Sequence, residues 1–92
     1  AAPVDLRLRH AELSGSITAR YKADRERSTN ELQVNTGDPN NEPGWATKGM
    51  FQGGRATING LTPGAVVWVR VRSLGNKGMM GAWSDAAEIR VL

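Results

Sequence analysis

The sequence predicts an all-β domain, a seven-stranded antiparallel sandwich, on three observations. Short stretches alternate apolar and polar residues with the period of two that a half-buried strand requires. Turn residues separate these stretches at regular intervals, and no stretch of reasonable length carries a helical period. The pattern is plainest from Arg55 to Ser73, R-A-T-I-N-G-L-T-P-G-A-V-V-W-V-R-V-R-S, where two alternating strands flank a corner marked by Asn59-Gly60 and Pro63-Gly64. Ala56 and Ile58 alternate with Arg55, Thr57 and Asn59. In the next strand Val67, Val69 and Val71 share one face and Trp68, Arg70 and Arg72 the other, because successive strand side chains point oppositely.

The remaining elements follow in order. Val4, Leu6 and Leu8 alternate with Asp5, Arg7 and Arg9 as a first strand; Ser14-Gly15 turns the chain, and Ile17, Ala19 and Tyr21 alternate with Thr18, Arg20 and Lys22 as a second. Residues 23 to 29 have no apolar period and read as a loop. Leu32 and Val34 alternate with Glu31, Gln33 and Asn35 in a third strand, followed by a run of turn formers from Thr36 to Gly44. Trp45 to Phe51 is a less regular edge strand closed by Gly53-Gly54, where glycine supplies the positive φ of a tight turn. After the two central strands come a glycine-rich stretch from Leu74 to Gly81 and a final strand in which Ala87, Ile89 and Val91 alternate with Glu88 and Arg90.

A chain of 92 residues supports one hydrophobic core and not two. With no Cys and one His it has neither a disulfide framework nor a zinc ligand set, so stability must come from packing and no cofactor is expected. No apolar run approaches a membrane span. The formal charge is +3 and the pI near 10.0, but acidic residues are mixed among the basic ones, with Asp24 and Glu26 between Lys22, Arg25 and Arg27. Without a single-sign block or aromatic platforms, no nucleic-acid partner is expected. The expectation is a monomeric piece of a longer polypeptide.

L-T-P-G-A-V-V-W-V-R-V-R-S followed by G-A-W-S-D resembles the fibronectin type III domain, an immunoglobulin-like sandwich, and the likeness extends over nearly all of residues 1–92. Leu61, Pro63, Val69, Arg70, Val71, Trp83 and Ser84 match that family's corner, sixth strand and start of the last strand. Tyr21 stands where the family has a second-strand Trp, and Trp45 is similar to its fourth-strand Trp. The family's corner tyrosine is replaced by Val67, and third-strand positions often aromatic there are Asn30 and Val34 here, so a looser corner and a core lean in aromatics are expected. The adhesion tripeptide R-G-D and glycosylation sequons are absent.

The resemblance implies a non-catalytic module of bacterial or phage type, extracellular or at the cell surface, that meets a protein partner through its end loops. A passive spacer and an accessory domain of a carbohydrate-active enzyme are the alternatives. In the family the loops equivalent to residues 24–27, 53–54 and 75–81 share one end, which makes Met79 and Met80, rimmed by Arg25, Arg27 and Lys77, the expected contact. His10 has no nucleophile and orienting group in any motif, so no catalytic residue is assigned. Asp38 and Glu42 flank Pro39-Asn40-Asn41 but lack the spacing of a calcium loop and read as turn residues.

One further set concerns the polar face of the sixth strand. Glu31, Gln33 and Asn35 should lie across from Arg70 and Arg72, giving ion pairs and cation–π contacts on an exposed face. Alternation back from Val91 points Trp83 and Asp85 inward, whereas a bulge near Ser84-Asp85 would turn Trp83 onto the arginines; the residues leave both open. On strand parity alone, Ile58→Ala and Val69→Ala should each cost roughly 2–4 kcal/mol and Thr57→Ala and Arg70→Ala well under half of that.

Overall fold

The computed structural model describes residues 3–22, 29–74 and 81–92. Seven strands form where the alternation predicts them: β1 (Val4–His10), β2 (Ile17–Lys22), β3 (Thr29–Asn35), β4 (Ala46–Gln52), β5 (Arg55–Ile58), β6 (Val66–Leu74) and β7 (Ala87–Arg90), with a 3-10 turn at Glu42–Gly44. They pair antiparallel in two sheets, β1-β2-β5 and β4-β3-β6-β7. The inward residues of both sheets make one core of Ile17, Ala19, Leu32, Val34, Ala56, Ile58, Leu61, Val67, Val69 and Val91, against which Leu6, Leu8, Phe51 and Ile89 pack.

β3 and β6 pair with their polar residues across from one another, as expected. Glu31 faces Arg72, Gln33 faces Arg70 and Asn35 faces Trp68, so the polar face of β6 lies over the polar face of β3. The first strand is less regular: its pairing with β2 shifts between Val4 and Arg7, and Asp5 in that interval takes φ 57, a left-handed conformation that Asp tolerates better than most residues.

The corner without its tyrosine is held by backbone. Leu61 N–H donates to Gly15 O at 2.9 Å, Gly64 N–H to Val91 O at 2.7 Å and Val91 N–H to Ala65 O at 2.8 Å, while Val67 fills the core below. Gly15 is required there twice over: it has φ 81, and a Cβ on it would sit 2.6 Å from the Leu61 carbonyl oxygen. Asn30, in place of an aromatic, is fully buried and ties the β4–β5 turn to β6, donating from Nδ2 to Gly53 O at 2.9 Å and accepting from Ser73 Oγ at 3.1 Å.

Chain direction places the ends of the described strands at two poles. The start of β1 pairs with Lys22 at one pole, whereas Leu92 O accepts from Gly15 N and Ser14 Oγ at the other.

Candidate functional site

The expected contact residues Arg25, Arg27, Lys77, Met79 and Met80 all lie outside the described residues. What the structure does place is their flanks. Thr29 pairs with both Gln52 and Leu74, Tyr21 N–H donates to Gly54 O, and Gly81 N–H donates to Ser73 O, so the roots of the 23–28 and 75–80 connections and the β4–β5 turn meet at the pole where β1 begins.

The most organised constellation among the described residues is on the outer face of the four-stranded sheet. Arg70, which β6 points away from the core, is only 9% exposed. Its guanidinium lies 4.3 Å from the Trp45 ring and 4.2 Å from the Trp83 ring, and Arg72 lies 4.3 Å from Trp83. Two guanidinium groups at those distances cannot share one side of a single indole without colliding, so Trp83 is sandwiched between them. The order Trp45, Arg70, Trp83, Arg72 is a continuous stack.

Polar neighbours fix Trp45, Arg70 and Arg72. Arg70 Nε and Nη2 donate to Gln33 Oε1 at 3.0 and 2.7 Å, and Nη1 and Nη2 donate to the Glu42 carboxylate at 3.0 Å each. Gln33 Nε2 donates to Thr47 Oγ1, Thr47 Oγ1 donates to Glu31 Oε2 at 2.5 Å, and Arg72 Nε donates to Glu31 Oε1 at 2.7 Å. The Trp45 Nε1–H donates to Pro39 O at 3.0 Å. Six residues, Glu31, Gln33, Glu42, Thr47, Arg70 and Arg72, from β3, β4, β6 and the 3-10 turn are thus joined in one network, whose bonds strengthen one another in partial burial.

The electrostatics follow from this geometry. Burial alone would raise the Glu31 carboxyl, but the hydrogen bonds from Thr47 and Arg72, with the charges of Arg72 and Arg70, outweigh it and hold the group below its ordinary value. Glu42 is held low chiefly by its hydrogen bond from Arg70. Elsewhere, burial pushes the Tyr21 phenol up against an opposing hydrogen bond with Asn30.

Trp83 therefore faces the arginines. An irregularity of the foreseen kind turns it there: Ser84 N–H donates to Val71 O at 2.8 Å while Val71 N–H donates to Ser84 Oγ at 3.1 Å, so a side chain replaces the backbone acceptor of a regular ladder. Ser84 is buried and Asp85 exposed, which removes the conflict of an inward carboxylate. The expectation that Arg70→Ala would cost little took the face of β6 to be exposed, because strand parity sees only which way a side chain leaves the backbone, whereas Arg70 is buried. Arg70 points outward into a layer that Trp45 and Trp83 close over it.

Other candidates resolve into structural roles. Asp38 Oδ1 accepts from Asn40 N–H and Glu42 pairs with Arg70, while Asn35, buried below them, binds Gly37 N–H, Asp38 O and Asn41 O. His10 Nε2–H donates to Arg90 O at 2.7 Å. Among the described residues no group of three or more His, Asp and Glu could hold a metal ion. An open groove of ≈ 470 Å³ lies between the start of β1 and residues 83–87, with Pro3, Leu6 and Ala87 beside the carboxylates of Asp5 and Asp85.

No protein-family model matches the chain, and no curated protein matches it in sequence. Solved structures do. An Fn3-like protein from Clostridium thermocellum superposes with a TM-score of 0.83 at 15% identity, over 98% of this chain and 91% of that one. A fibronectin type III domain from the human KIAA0970 protein gives a TM-score of 0.78 at 13% identity, over 96% of this chain and 71% of that one. The fourth FNIII domain of a human protein gives a TM-score of 0.75 at 16% identity, over 98% of this chain and 77% of that one. With two antiparallel sheets of the orders found here and superposition along nearly its whole length, this chain has the fibronectin type III fold.

Proposed function

We propose that this domain is a non-catalytic fibronectin type III module that meets a protein partner through the pole where the 23–28, 53–54 and 75–80 connections arise. The observation that carries the reading is the convergence of Lys22, Thr29, Gly53, Leu74 and Gly81 at that pole, because a rigid sandwich presenting adjacent connections is how such scaffolds offer a composite surface. Met79 and Met80 supply adaptable apolar contact and Arg25, Arg27 and Lys77 steer an acidic partner. The ion-pair layer on the four-stranded sheet supports a non-catalytic role, since its carboxylates are engaged by guanidinium groups. The carbohydrate-accessory reading loses support from the same layer, as Trp83 has no free face on which a sugar ring could stack.

The test is site-specific photo-crosslinking in the cells that make the protein. A crosslinker at position 79 should capture a discrete protein adduct that the Met80→Ser variant weakens, and one at exposed Leu13, at the opposite pole, should not. Equal capture from both positions, or capture from position 13 alone, would overturn the reading.

A spacer role has one observation of its own, that the chain enters β1 at one pole and leaves β7 at the other. Small-angle scattering of three linked copies would then give a length that grows by close to the 37 Å long axis per copy. Copies that fold back on one another would exclude it.

A further inference from the structure

We infer that the outer face of the three-stranded sheet docks on the phosphate backbone of a double-stranded nucleic acid without reading its sequence. The register of that sheet aligns Arg7 opposite Arg20 and Arg20 opposite Arg55, so three guanidinium groups from three strands form one row. Arg9, two residues along β1, adds a fourth on the same face, and all four are exposed. Charges that alternate in the sequence with neutral and acidic residues are sorted by the fold onto one surface. Like charges directly opposite one another on a sheet are destabilising, and among the described residues no carboxylate pairs with these arginines. Among the described residues the carboxylate–guanidinium pairs belong to Arg70 and Arg72 on the other sheet. The acidic residue of β1, Asp5, lines the groove beside Asp85 instead.

The chemistry of the face narrows the partner. Between the arginines the positions of outward parity are Thr57, which is exposed, and Thr18, which is buried, and neither is aromatic or a large aliphatic. Among the described side chains the face therefore lacks the apolar centre of a protein–protein interface, the apolar side chains that enter a bilayer and the rings that stack on single-stranded bases. What it offers is guanidinium forks, matched to phosphate oxygens, and a driving force that needs no apolar burial, the release of counterions condensed on a duplex. With strands ~4.8 Å apart the row spans about 10 Å, the scale of the ~12 Å opening between phosphate strands of the major groove. The net charge of +3 and pI near 10.0 are in keeping with such a partner.

Fluorescence anisotropy with a labelled duplex DNA of arbitrary sequence tests this. Four phosphate contacts give a slope of log K on log salt of about −3.6, so affinity should fall about 150-fold between roughly 50 and 200 mM salt. Arg20→Gln, at the centre of the row, should reduce the slope by about 0.9, and Arg7→Gln with Arg20→Gln and Arg55→Gln together by about 2.7. Lys48→Gln, on exposed β4 of the other sheet, should leave both unchanged, and a denaturation midpoint at or above that of the parent shows that the variants fold. No duplex binding, binding unaltered by the Arg20→Gln and triple variants, or binding confined to a sulfated polysaccharide or to phosphatidylserine vesicles would each overturn the inference.

Discussion

Arg70→Ala should destabilise the domain by about 2–4 kcal/mol, although Arg70 sits on the side of β6 that faces away from the core. The substitution removes stacking on Trp45 and Trp83, each contact being about 0.5–1 kcal/mol and more where water is excluded. It also removes the paired hydrogen bonds to Gln33 Oε1, about 1 kcal/mol apiece, and the packing of the aliphatic stem. Glu42 adds little, because it is exposed to solvent. Arg70→Lys keeps the charge but cannot supply a planar fork to Gln33 and Glu42, so it should recover less than half of the loss. Guanidinium chloride titrations of the parent, Arg70→Ala, Arg70→Lys and Thr57→Ala, with a common m-value, give the comparison directly. If Arg70→Ala lost no more than Thr57→Ala, the stack would be an incidental arrangement of exposed side chains.

The same network makes the fold acid-sensitive. Glu31 and Glu42 have carboxyls held below the ordinary 4.5, so the stability they contribute is complete above that value and is lost as pH falls through their lowered folded values. The denaturant midpoint should drop below about pH 4.5 in the parent and less steeply in Glu31→Gln, and a midpoint that rose with acid would contradict the assignment. Ile58→Ala and Val69→Ala should each cost roughly 2–4 kcal/mol, since both side chains are within the shared core; losses equal to that of Thr57→Ala would mean the register is wrong. Gly15→Ala should destabilise by more than about 1 kcal/mol because φ 81 and the Leu61 carbonyl both oppose a Cβ, whereas an unchanged thermal midpoint would refute that contact.

Much of the fold was legible because the core residues of β2, β5 and β6 alternate without interruption, and a period of two specifies a face. That the polar residues of β3 lie across from Arg70 and Arg72 followed from the same parity, whereas the pairing of Glu31 with Arg72 and of Gln33 with Arg70 is set by the register, which parity does not fix. Three features were not legible in that way. The shift between Val4 and Arg7 depends on a single left-handed residue, Asp5, that composition does not announce. The burial of Arg70 depends on Trp45 and Trp83, which arrive from segments distant in sequence and outside regular alternation. The row of Arg7, Arg20 and Arg55 was hidden because the acidic residues that dilute it along the chain lie elsewhere in the fold, Glu31 on the other sheet and Glu42 in the 3-10 turn paired with Arg70. Its signal was present as arginines at outward parity on three strands, and only the pairing order makes them neighbours.

The central claim is a division of labour between two sheets, one whose Arg70 and Arg72 are locked in an internal stack and one whose arginines are left for a ligand. Labelling the folded domain with an arginine-selective dicarbonyl reagent, with sites read by peptide mass spectrometry, tests it in a single time course. Arg7, Arg9, Arg20 and Arg55 should react early and be shielded by added duplex DNA, while Arg70 and Arg72 stay unmodified until the domain is unfolded. Early modification of Arg70 and Arg72 together with the exposed set, or shielding by duplex that spares the row on the three-stranded sheet, would contradict it.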